Sequence, residues 1–149
     1  MSIHRRSLLS ATGAWLVLAP LSLRAAPRPI ADLLRESFGA RDIRDERVAL
    51  SMPALAENGN SVALEVSVDS PMTDADHVRE IHLFAEKNPE PLLARFHLSP
   101  ASGSASVATR VRLADTQTVV AVATMNDGRL FAGRAETIVT EAACLDFLI

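Results

Sequence analysis

Apolar residues follow three successive rhythms along this chain, and each rhythm implies a different kind of segment. Near the start, Gly13-Ala14-Trp15-Leu16-Val17-Leu18-Ala19-Pro20-Leu21-Ser22-Leu23 is apolar almost without interruption. A little further on, Ile30, Leu33, Leu34 and Phe38 fall at helical spacing, which predicts a short helix from Pro29 that Gly39 stops. From Val48 onward the rhythm changes to two: Val62, Leu64, Val66 and Val68 alternate with Ala63, Glu65, Ser67 and Asp69, as in a strand with one face buried.

Further strands are predicted at Val48–Met52, Val78–Glu86, Leu92–Leu98, Ser104–Leu113, Thr118–Met125 and Leu130–Val139. Between them stand turn-forming Asn58-Gly59, Asn88-Pro89, Ser102-Gly103 and Asp127-Gly128, while Pro71–Asp76 reads as an inter-strand loop. About seven short strands after one short helix predict a mostly β sandwich. The sharpest local signal is Asn126-Asp127-Gly128, because a tight turn needs positive φ that these residues tolerate, so the last two strands should form a hairpin.

The first apolar run is too short to span a bilayer core of about 30 Å, which takes roughly 20 apolar residues. Arg5, Arg6 and Arg24 accompany it without an acidic residue, and Ala25-Ala26 comes next as a cleavage site, the profile of a signal peptide over residues 1–26. Arg5-Arg6-Ser7-Leu8-Leu9 has the order of a twin-arginine signal, which would carry the chain across the membrane already folded. The expected location is therefore the periplasm, with residues 27–149 as one domain and no stable membrane insertion after cleavage.

Removing residues 1–26 takes away three of the 15 basic residues and none of the 18 acidic ones, leaving 12 against 18 and a net charge of −6. That balance argues against nucleic acid as a partner. A single cysteine, Cys144, cannot form an internal disulfide. In an exported protein it is a reactive thiol, an intermolecular cross-link or a small buried apolar residue.

Several local strings now point to a family. Pro53-Ala54-Leu55-Ala56-Glu57-Asn58-Gly59, Lys87-Asn88-Pro89 and Thr109-Arg110-Val111-Arg112-Leu113-Ala114 occur in order, then Asp127-Gly128 before a strand and Val139-Thr140 shortly ahead of Cys144. In order and spacing the chain resembles the SoxY family, the carrier subunits of the bacterial periplasmic sulfur-oxidation system. The resemblance implies an immunoglobulin-like β-sandwich. It implies a carrier and not an enzyme, with thiosulfate-derived sulfur held covalently on Cys144. It also implies a heterodimer with a SoxZ-like subunit, transient contacts with the Sox enzymes that attach, hydrolyse and oxidise the sulfur, and no cofactor.

One departure bears on that role. In the family the cysteine lies within Gly-Gly-Cys-Gly-Gly, whose slim backbone can enter narrow enzyme channels. Here the segment reads Glu141-Ala142-Ala143-Cys144-Leu145-Asp146-Phe147-Leu148-Ile149, with none of those glycines. The alternative reading is accordingly an adaptor that binds a SoxZ-like partner and carries nothing. Glu141 and Asp146 add negative charge near the thiol, which disfavours its thiolate.

The remaining candidates have plainer accounts. His77, His82 and His97 do not match a known metal-ligand spacing, and no carboxylate or thiol joins them in sequence, so no metal is expected. Arg110 and Arg112 alternate with Val111 and Leu113 and should share one face, either solvated or engaging an anion. Glu57-Asn58-Gly59 has catalytic residue types but reads as a hairpin turn.

Overall fold

The computed structural model describes residues 28–141. One helix, α1 (Ile30–Phe38), precedes nine strands: β1 (Ile43–Arg44), β2 (Val48–Ser51), β3 (Leu55–Asn58), β4 (Val62–Val68), β5 (Val78–Ala85), β6 (Leu92–His97), β7 (Ser106–Val111), β8 (Gln117–Met125) and β9 (Leu130–Glu141). The seven expected strands are all present. β1 and β3 are additional, and both pair in parallel with β9.

The strands form an immunoglobulin-like sandwich. The larger sheet runs β1-β9-β8-β5-β6, with β3 also on β9, and the smaller runs β2-β4-β7. β4 shows why they stack: Val62, Leu64, Val66 and Val68 are buried between the sheets while Ala63 and Glu65 point outward. From the larger sheet Ile81, Leu83, Val119, Ala121, Ala123, Met125 and Phe131 meet them in one core. Burying such side chains supplies roughly 1.5–3 kcal/mol each.

β5 and β8 lack that alternation. Val119 through Ala123 are all buried, as are Leu83 through Ala85, because these strands are covered on both faces. The second cover is α1, which lays Leu34 and Phe38 on Phe84, Val120, Val122, Leu130 and Ala132. Its apolar stripe is the helical spacing at positions 30, 33, 34 and 38, and it ends at Gly39, whose φ of 71° only glycine adopts at no cost.

β8 and β9 form the expected hairpin. Gly128 sits at φ 87°, and Met125 N–H donates to the Arg129 carbonyl at 2.9 Å. The Asn58-Gly59 turn differs from expectation. It is not a hairpin, because β3 pairs with β9 while β4 pairs with β2 and β7, so it carries the chain from one sheet to the other.

β9 is the spine of this arrangement. Its beginning holds β1 (Ile43↔Leu130), its end holds β3 (Leu55↔Ile138), and β2 crosses between them toward the other sheet. Gly133 lies at that crossing: a Cβ there would stand 2.5 Å from the Val48 carbonyl oxygen, so only a bare Cα admits the approach.

Candidate functional site

Strand directions place four segments at one end of the sandwich: the β3–β4 turn, the β5–β6 loop, the β7–β8 loop and the last residues of β9. Three of the strings that carried the family resemblance, Pro53–Gly59, Lys87–Pro89 and Thr109–Ala114, therefore meet at the root of the C-terminal segment, whereas Asp127-Gly128 turns the β8–β9 hairpin at the other end. Gly59 N–H donates to the Glu141 carbonyl at 2.8 Å, and the Gly59 carbonyl accepts from Leu113 N–H at 2.8 Å. A single glycine thus ties the end of β9 to the end of β7.

Asn88 is the second tie. Its Nδ2 donates to the Arg112 carbonyl at 2.8 Å, while its Oδ1 accepts from Ala114 N–H and from Gln117 Nε2, both at 2.9 Å. Gln117 is buried at 3% exposure and accepts Lys87 N–H at 2.9 Å through its own Oε1. An asparagine supplies donor and acceptor from one planar group, so it can staple two loops where aspartate or leucine cannot.

Threonines complete the root. Val139 N–H donates to Thr116 Oγ1 at 2.9 Å, Thr137 Oγ1 donates to the Pro53 carbonyl at 2.7 Å, and Thr140 Oγ1 donates to the Glu57 carbonyl at 2.8 Å. β9 is therefore braced as far as Glu141, the last described residue. Charges around it are mixed: Lys87 Nζ reaches the Thr116 carbonyl at 2.6 Å and lies 3.9 Å from Asp115.

Among the sequence candidates, Arg5, Arg6 and Cys144 lie outside the described residues. Arg110 and Arg112 are both exposed. Arg110 is bonded to the Ser61 carbonyl at 3.2 Å, and Arg112 stands beyond β7 with its carbonyl held by Asn88. Glu57-Asn58-Gly59 serves the turn, Asn58 Oδ1 accepting Asn60 N–H at 2.7 Å.

The histidines separate. His77 is at the opposite end, its Nδ1 2.9 Å from the Thr73 carbonyl. His82 and His97 lie on adjacent strands and share a carboxylate that the linear spacing did not reveal: Glu80 is 3.7 Å from His82 Nε2 and 3.4 Å from His97 Nδ1. Among the described residues no group of three His, Cys, Asp or Glu side chains is arranged to hold a metal. His82 is buried beneath α1, with Phe38 edge-on at 5.2 Å. Burial pushes its pKa below 6.5, and nearby Arg95 adds to that while Glu80 opposes it.

Asn88, Thr116 and Gln117 are site residues that sequence reasoning missed. Asn88-Pro89 registered as a turn and a family string, but nothing local reveals that its amide reaches residues 112–117. Gln117, a lone polar residue opening an apolar run, was the available signal.

An immunoglobulin-like sandwich whose last strand is tied down at one end by three converging loops is the class that fold and site define. Within that class the chain belongs to the SoxY family: the family model for sulfur oxidation protein SoxY matches residues 34–144, a span that includes Cys144. Among solved structures it is similar to the sulfur carrier protein SoxY from Chlorobium limicola f thiosulfatophilum. The two are 27% identical with a TM-score of 0.61, over 74% of this chain and 90% of that one.

Two further structures share the fold alone. Superoxide reductase (neelaredoxin) from Ignicoccus hospitalis is 22% identical, with a TM-score of 0.56 over 63% of this chain and 80% of its own. A superoxide reductase homologue from Thermotoga maritima is 21% identical, with a TM-score of 0.57 over 71% and 97%. Comparison with curated proteins gives no match. Membership of the SoxY family assigns the chain a carrier role in sulfur oxidation.

Proposed function

We propose that this protein is a non-catalytic sulfur carrier of the periplasm, which holds thiosulfate-derived sulfur covalently on Cys144. The observation that supports it best is the convergence of three of the family strings on the end of β9, three residues before that cysteine. A carrier needs a fixed base and a reactive thiol beyond it. Cys144 lies three residues after Glu141, and a chain of that length can span at most about 10 Å at roughly 3.3 Å per residue.

The chemistry balances without a cofactor in the carrier. Joining the Cys144 thiol to the outer sulfur of thiosulfate forms an S–S bond, releases a proton and passes two electrons to an acceptor supplied by the conjugating enzyme. Hydrolysis of the terminal sulfur–sulfur bond then releases sulfate and leaves a persulfide on Cys144. The protein supplies the thiolate, and other proteins supply the redox and hydrolytic steps.

Export by the signal of residues 1–26, with Arg5-Arg6 directing a folded chain, would allow a SoxZ-like subunit to cross with it. No described helix is long and apolar enough to cross a membrane. The carrier reading is tested by Cys144→Ser in a reconstituted system of carrier, SoxZ-like subunit, conjugating enzyme and thiosulfate. Sulfur loading should be abolished while partner binding is retained. Undiminished thiosulfate turnover with the serine variant would instead establish the adaptor reading, which the missing glycines favour.

A further inference from the structure

Asn58-Gly59 sets an electrophile and a nucleophile side by side at the end of β9, and the fold treats the two in opposite ways. Asn58 is exposed, and its Oδ1 accepts the Asn60 N–H at 2.7 Å. That bond folds the amide forward over Gly59 and draws electron density from its carbonyl carbon, which favours attack there. The nucleophile that closes a five-membered ring on this carbon is the Gly59 backbone nitrogen, which no Cβ shields. Gly59 is buried, however, and its N–H donates to the Glu141 carbonyl at 2.8 Å. A nitrogen so engaged keeps its proton, and attack waits until the bond opens. The other asparagines lack this combination: Asn88 precedes Pro89, which has no N–H to lose, while Asn60 and Asn126 precede Ser61 and Asp127, whose side chains crowd the nitrogen.

The reaction needs only water. The Gly59 nitrogen gives up its proton and bonds to Asn58 Cγ, the Cγ–Nδ2 bond breaks, and ammonia leaves with that proton, giving a succinimide. Water then opens the ring at either carbonyl, and nothing is oxidised or reduced. Opening at the main-chain carbonyl gives isoaspartate, whose backbone runs through the former side chain and is one carbon longer. That carbon falls between β3 and Gly59, the residue whose N–H holds Glu141 and whose carbonyl holds the Leu113 N–H at 2.8 Å. The new carboxylate stands beside Glu57 and opposite Glu141 in the β3–β9 register, so like charge adds to the mismatch.

We propose that Asn58-Gly59 is a deamidation site which the Gly59–Glu141 hydrogen bond holds unreactive, and that its conversion to isoaspartate frees the end of β9. The site thereby records, irreversibly, how often that end opens. It is independent of the carrier reading and bears on it only through the support given to the last strand.

The test incubates the mature chain in mildly alkaline buffer, folded and unfolded in guanidinium chloride, and follows deamidation at Asn58 by peptide mass mapping. The folded chain should react at least roughly tenfold more slowly, as when the bonded state outnumbers the open one by that ratio. Equal rates would overturn the proposal, as would an Asn58 that stays intact in the unfolded chain. Thr116→Val with Thr140→Val leaves Asn58-Gly59 in place but removes two neighbouring braces, the Thr116 Oγ1 that accepts the Val139 N–H and the Thr140 Oγ1 that donates to the Glu57 carbonyl. That variant, with its fold checked by circular dichroism, should deamidate several-fold faster than the wild type. A folded variant that is no faster would place the guard elsewhere and refute the proposal. Hydrogen exchange on the isoaspartate form of the wild type, separated by ion exchange, gives a second reading that needs no variant. Protection of the Leu113 N–H should be lost in that form, and unchanged protection would contradict the release of β9.

Discussion

At the scale of single residues, Asn88 carries more of the site than any charged side chain near it. Its amide makes three hydrogen bonds that join the β5–β6 loop to the β7–β8 connection, one of them to buried Gln117. Asn88→Ala leaves the Arg112 carbonyl, the Ala114 N–H and the Gln117 amide without that partner. Water can reach the exposed Arg112 and half-buried Ala114 but not the buried Gln117, so destabilisation of about 1–3 kcal/mol is expected in urea unfolding. Hydrogen exchange should show the accompanying loosening at Ala114 and Val139, while the β8–β9 hairpin at the opposite end keeps its protection. Uniform loss of protection across the sandwich would contradict the local role. This residue was visible in the sequence only as part of a turn. A side-chain amide that bridges loops some 25 positions apart leaves no periodic trace, and the carboxylate that joins His82 to His97 was hidden for the same reason.

At the scale of elements, hydrophobic rhythm was a reliable guide wherever a segment has one buried face. β4 alternates and was legible to the residue, and α1 shows its stripe at 30, 33, 34 and 38. β1 and β3 were not legible. They contribute two and four residues, Leu55 faces water, and their pairing is dictated by β9, more than 80 positions away. The hairpin reading of Asn58-Gly59 failed on the same ground, since turn chemistry specifies a reversal but not which sheet receives the next strand.

The docking of α1 on the sheet has a consequence in pH. His82 lies under the helix with Nδ1 lacking a hydrogen-bond partner, and its pKa is depressed chiefly by burial. The unfolded chain, with histidine near 6.5, therefore binds its proton more readily than the fold does. Stability is fully present above that value and declines as pH falls from about 6.5 toward the lower folded pKa, by about 1.4 kcal/mol for each unit of depression. Urea midpoints measured at about pH 7.5 and about pH 5.5 should differ more for the wild type than for His82→Leu, carboxylates titrating mostly below that window. An equal decline in both proteins would place the acid sensitivity elsewhere. Glu80, His97 and Arg95 face His82 from β5 and β6, and Phe38 covers it from α1, so these are the groups whose change would move the effect.

At the scale of the whole molecule, the proposed function makes the sandwich a base and gives the chemistry to Cys144, which follows the end of β9 in sequence. Family membership over residues 34–144 fixes the class of role, and the tie between Gly59 and Glu141 fixes the end of β9. Composition and strand count alone described an acidic sandwich behind an expected export signal and stopped there; sulfur entered through strings, three of which meet at one end in a way that only the fold displays. The loss of the flanking glycines bears on access to the thiol more than on its existence, so the carrier reading stands or falls with loading at Cys144. The decisive measurement is the intact mass of the mature protein, isolated during active thiosulfate oxidation without reductant. Extra mass on Cys144 is expected, in steps of sulfur or thiosulfate that a thiol reductant removes. An unmodified mass under those conditions would refute loading and with it the carrier role.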